Sequence, residues 1–167
     1  MRLIIHNLRA GFATNSSSSH SVILLPPEMV GTLTDESVPY DGGYGQNDFR
    51  LVSTEHKMRY LAAQLFRKAV GNDQVRRSKF IEAFRPYVPD IAGMLPEDAD
   101  GYEFYVDHES QMTLPNNPLG PAFLKSIMKV FMSDRVIITG GAGDSAYEMD
   151  DAEEEPLARA LMRESYA

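Results

Sequence analysis

Four consecutive serines, Ser16 to Ser19, stand between Asn15 and His20 in the stretch GFATNSSSSHSVILLP. Serine hydroxyls and exposed loop amides donate several hydrogen bonds without bulk, which suits them to holding a phosphate or another oxyanion. His20 adds a side chain that can move protons near neutral pH. A phosphate loop of the GxxxxGK[ST] type would add glycines and a lysine; here Gly11 is the one glycine close by and no lysine is present. Two readings stand for residues Asn15, Ser16, Ser17, Ser18 and Ser19: an ordered anion-binding loop, or a flexible serine-rich linker. The close fit of the run between two apolar stretches weighs against the linker.

Two further segments carry chemistry-bearing residues. In VDHES, Asp107 could orient His108 as a general base, or the two could hold a divalent metal. Adjacent strand residues point to opposite faces, so they share a site only where a strand ends or bulges. A partly exposed structural histidine is the plainer account of the pair. In TGGAGDS, residues 139–145, a buried strand feeds a glycine turn, a place where backbone approaches a ligand closely, and Asp144 is a candidate metal ligand. The spacing of Gly140, Gly141 and Gly143 is not the dinucleotide fingerprint, and the acids that follow would repel a pyrophosphate. The plain alternative is a tight turn leaving a strand. His6 and His56 read as structural.

The elements that must position these residues follow from apolar patterning. MRLII and SVILL read as short strands, the second stopped by Pro26 and Pro27, with residues 9–20 a loop between them. YDGGYGQND reads as a loop or tight hairpin, and FRLVS as a third short strand. Ser53 or Thr54 can cap a helix in which Met58, Leu61, Ala62, Leu65, Phe66 and Ala69 recur at helical spacing, ended by Gly71 and Asn72. A second helix is expected from about Asp73 to Phe84, packed on the first, and IAGMLPEDADG is a connector. YEFYVDH alternates as a strand does, residues 121–132 form a third helix, RVIITGG is a buried strand, and Pro156 opens a short last helix. Strands and helices are interspersed without strict βαβ alternation. The expected fold class is therefore α+β, a small central mixed or antiparallel sheet with about four helices. Residues 1–143 form one domain, and 144–167 an acidic segment with a short helix.

A chain of 167 residues with 43% hydrophobic and 10% aromatic content can fill one core. The absence of cysteine excludes disulfides, thiolate zinc sites and cysteine nucleophiles. No apolar run reaches the roughly 18 residues of a spanning helix, and the first residues do not form a secretory signal, so a cytoplasmic protein with no membrane association is expected. The net charge of −8 is local: seven acids and no base lie between Asp144 and Glu155, and without them 17 acids face 16 bases. General nucleic-acid binding is disfavoured, because phosphate contacts need clustered cations and Arg76, Arg77, Lys79 and Arg85 make only a modest patch.

Gly11, Phe12, Thr14, Asn15 and Ser16 to Ser19 resemble the N-terminal signature, GF-x-[ST]-N-S-S-S-S, of a diffuse group of uncharacterised bacterial and bacteriophage proteins. His20 and Ser21 depart from the commoner serine and phenylalanine. The resemblance implies a phage-type origin, in the host cytoplasm or the virion, and brings no activity, fold or ligand. Two functions then compete. One is a non-catalytic interaction or virion/assembly-associated component whose acidic segment and terminal helix dock on a basic protein partner, or which forms a homo-oligomer. The other is a metal-assisted hydrolase or phosphate- or nucleotide-binding enzyme. It would use His20, Asp107 and His108 as catalytic groups, Asn15 to Ser19 for the anion, and Asp107, His108 and Asp144 for a divalent metal.

Overall fold

Apolar, β-branched runs build the centre of the sheet, and a long buried helix lies across it. The structure, a computed structural model, describes residues 4–7, 18–39, 43–45, 47–70, 73–96, 104–106 and 114–142. Strands β1 (Ile4–Asn7), β2 (Ser18–Leu24), β4 (Phe49–Leu51) and β6 (Val136–Ala142) form one antiparallel sheet in the order β1-β2-β6-β4. Strand β3 (Gly43–Tyr44) pairs in parallel with β5 (Tyr105–Val106) in a separate two-stranded sheet. The helices are α1 (Thr54–Val70), α2 (Gln74–Phe84), the single turn α3 (Ile91–Met94) and α4 (Pro121–Met132). A small antiparallel sheet with four helices is the α+β class that the patterning implies.

Local signals explain the starts of α1, α2 and α4. The Ser53 hydroxyl accepts the His56 N–H at 3.3 Å and caps α1. Asp73 caps α2 by accepting the N–H groups of Val75 and Arg76 at 2.8 and 3.1 Å. Pro121 opens α4, where its missing N–H and fixed φ are harmless.

Three expectations change. The loop assigned to 9–20 ends early: Ser18, Ser19 and His20 are strand residues, paired with Ala142, Gly141 and Gly140. Pairing partners decide this, not serine's local preference for turns. The stretch read as a loop or tight hairpin holds strand β3, whose partner is the distant β5, and the pairing is parallel, which demands a long crossover. The glycine turn after RVIITG is strand through Ala142. The acidic segment and terminal helix, residues 144–167, lie outside the described residues.

One face of the sheet carries the core. Register places His20, Gly140 and Phe49 in one row, Val22, Ile138 and Leu51 in the next, and Leu24 and Val136 in a third. Helix α1 lies on this face, buried on nearly every side, with Met58, Leu61, Leu65 and Phe66 at 0–1% exposure. Its Phe66 ring meets Phe80 of α2 edge-on at 5.6 Å and Phe104 at 6.0 Å. Phe131 of α4 stacks on Tyr60 of α1 at 6.4 Å, and Val130 packs on Val22 and Val136. No helix among the described residues is long and apolar enough to cross a membrane.

Candidate functional site

His20 is the one proposed catalytic residue whose side chain the structure places. It is buried, 4% exposed, between α1, β4, β6 and the residues after β3. Its Nε2 lies 3.1 Å from the Gly45 carbonyl oxygen and its Nδ1 lies 3.2 Å from the Tyr60 hydroxyl. A carbonyl only accepts, so Nε2 carries a proton; in the neutral ring Nδ1 then accepts from the Tyr60 O–H. The Tyr60 oxygen in turn accepts from Gln64 Nε2 at 2.8 Å. Hydrogen bonds therefore run in one direction, from Gln64 to Tyr60 to His20 to Gly45. Burial, only partly offset by Gln64, pushes the Tyr60 hydroxyl well above the ordinary phenol range.

Aromatic rings enclose this relay. Phe49 and Tyr60 meet the His20 ring at 5.0 and 5.8 Å, and Tyr44 packs edge-on against Phe49 and Tyr60 at 5.4 and 4.9 Å. The cage explains the glycine in ITGG. A Cβ on Gly140 would stand 2.7 Å from His20 Cδ2 and penetrate the Phe49 ring. Close approach does require glycine here, but the approaching groups are the chain's own rings.

A second buried polar group lies three residues earlier on α1. Lys57 is 0% exposed, and its Nζ donates to the Ser133 and Val136 carbonyls at 2.6 and 2.8 Å. It thereby ties α1 to the turn between α4 and β6. Burial lowers its pKa from 10.5 to about 8, against an upward pull from the Asp134 and Asp35 charges.

A third cluster forms where residues 34–36 run beside β4. Glu36 and Arg50 exchange backbone hydrogen bonds at 2.8 and 2.9 Å. Asp35 then reaches the start of α1, where its Oδ1 accepts the N–H groups of Val52 and Ser53 at 2.5 and 3.0 Å and its Oδ2 lies 2.8 Å from His56 Nδ1. Burial pushes the Asp35 carboxyl up, but these N–H groups, with Ser53 and His56, outweigh it and hold the pKa at about 2. The side chains of His56 and Asp35 are 29% and 23% exposed, so the pair is open to solvent.

The other proposed site residues separate into two groups. Ser18 and Ser19 lie on β2, in the rows just beyond His20. Asn15, Ser16, Ser17, Asp107, His108 and Asp144 lie outside the described residues. Among the described residues no group of three or more His, Asp or Glu is arranged to hold a metal. The basic spot is thinner than its composition implies. Arg77 turns inward, donating to the Pro96 and Leu95 carbonyls at 2.7 and 3.0 Å over the Phe66 ring.

Sequence reasoning missed Tyr60, Gln64, Lys57 and the Asp35–His56 pair. A signal was present for the first three. Lys57, Tyr60 and Gln64 recur at helical spacing among the apolar residues Met58, Leu61, Ala62 and Leu65, so one stripe of a buried helix had to find polar partners. Asp35 carries no such mark, because its partners are distant in sequence. Comparison with protein-family models, with curated proteins and with solved structures finds no match.

Proposed function

We propose that the chain is a non-catalytic interaction protein of the bacteriophage type, an assembly- or virion-associated component that works by docking on a protein partner. One observation carries this reading: both ring nitrogens of His20 are held by the chain's own groups, Tyr60 and Gly45, in a closed aromatic cage. A general base needs a nitrogen within reach of a substrate proton. His20 instead joins β2 to α1 and to the residues after β3. Lys57 and Arg77 likewise end on backbone carbonyls and fix elements to one another.

The partner is a basic protein surface, met by the acids between Asp144 and Glu155, which account for nearly all of the chain's net charge. The described surface is itself nearly free of large exposed apolar groups, Val75 and Met132 excepted, which fits a contact led by charge.

The test is a thermal-denaturation panel on the purified chain. A specific ligand raises the melting temperature by mass action. The expected result is no shift with divalent metals, inorganic phosphate or nucleotides, and a salt-sensitive complex with cationic protein that is lost when the seven acids are changed to their amides. A saturable shift with a metal or nucleotide would favour the metal-assisted hydrolase instead.

A further inference from the structure

Asp35 and His56 hold a reactive geometry that the folding role of the pair does not use up. The carboxylate sits on Nδ1, so the neutral ring keeps its proton on that nitrogen and its lone pair on Nε2. Nε2 forms no hydrogen bond with any described residue, and the side chain is 29% exposed. The ring is held through Nδ1 by Asp35, which is itself anchored by the Val52 and Ser53 N–H groups, and the Ser53 hydroxyl holds the His56 backbone N–H. A carboxylate on the far nitrogen fixes the tautomer and orients the near nitrogen. His20 shows the contrast, with both nitrogens bonded at 4% exposure.

We propose that His56 is a phosphoryl-accepting residue, which takes the group on Nε2 from a small activated donor of the phosphoramidate class. The Nε2 lone pair forms the new bond to phosphorus. The bond from phosphorus to the protonated donor nitrogen breaks, and its electron pair leaves with ammonia. Positive charge grows on the ring as the bond forms, and the Asp35 carboxylate at 2.8 Å stabilises it while the Nδ1 proton stays in place. The attached phosphoryl group then lies in the first turn of α1, where negative charge is favoured.

The experiment treats the full chain with potassium phosphoramidate and maps the label by mass spectrometry against time. One phosphoryl group on His56 is expected, with His20 unlabelled. His56→Gln abolishes this label, and Asp35→Asn slows it by about tenfold, the usual effect of losing a carboxylate behind a histidine. Asp35 also anchors the chain just before α1, so a second measurement reads the ring without mutation: long-range nitrogen–proton spectra must show His56 in its Nδ1–H form. Labelling of another histidine ahead of His56, an unchanged rate in folded Asp35→Asn, or an Nε2–H tautomer would each overturn the proposal.

Discussion

Gly140 and Lys57 show how single residues set the conditions for the buried relay. Gly140 leaves room for two rings, and a methyl group there forces His20 and Phe49 apart. Gly140→Ala is expected to cost about 3 kcal/mol, the upper part of the overpacking range. Adding Phe49→Leu should recover part of the loss, and urea denaturation of the two variants measures both effects. Lys57 makes stability depend on alkaline pH. Its folded pKa of about 8 lies below the ordinary 10.5, so between those values the unfolded chain holds more protons and stability rises with pH. Tyr60 acts in the opposite sense. Its folded pKa is raised above 10.0, so above that pH the unfolded chain loses its proton first and stability falls. Urea unfolding from about pH 7 to about pH 11 should therefore show a maximum near pH 10, with a rise of roughly 2 kcal/mol leading to it. Lys57→Met should flatten the rise, and at neutral pH it should destabilise by about 1–3 kcal/mol because two buried carbonyls lose their donor.

At the scale of elements, α1 is the piece to which other parts are fastened: β2 through His20, the α4–β6 turn through Lys57, and residues 34–36 through Asp35. The Asp35 tie is sensitive to acid. A carboxylate whose folded pKa is about 2 against an ordinary 3.8 contributes stability that is complete above about pH 4 and is lost as pH falls through 2. The contribution is roughly 2 kcal/mol. Asp35→Ala should lower stability by about that amount at neutral pH, with variant and wild type converging in acid, as acid-titrated circular dichroism would show. Helices α1, α2 and α4 were legible in the sequence because each carries its own punctuation, whereas the single turn α3 lies in a stretch read as a connector and has no side-chain cap. Ser53, Asp73 and Pro121 mark starts, and apolar residues recur at the right spacing between them. The short strands were legible only where β-branched residues run together, as in SVILL. Gly43–Tyr44 and Tyr105–Val106 were not paired in advance, because two-residue strands owe their existence to a partner sixty-odd positions away. The serines of β2 were hidden for a related reason: Ser18 and Ser19 have loop chemistry, and pairing with Ala142 and Gly141 overrides it. The site was less legible still. His20 was singled out for its neighbours in sequence, whereas its working neighbours are Tyr60, Gln64 and Gly45.

For the molecule as a whole, the division between a nearly neutral body and a strongly acidic stretch is visible in composition, and it directs the functional proposal toward a cationic partner. The layout of the sheet governs something else. Its two inner strands, β2 and β6, pair through residues as far apart as Ser18 and Ala142, and all four helices of the described residues lie between them in the chain. On a translating ribosome β2 emerges roughly a hundred residues before the strand that will shield it. The helices can form early from local contacts, while the apolar run SVILL waits with an open edge until the other half of its pairing has been made. Birth of this protein in a cell is thus a race between elongation and self-association, and anything that stalls synthesis before Val136 leaves an adhesive nascent chain.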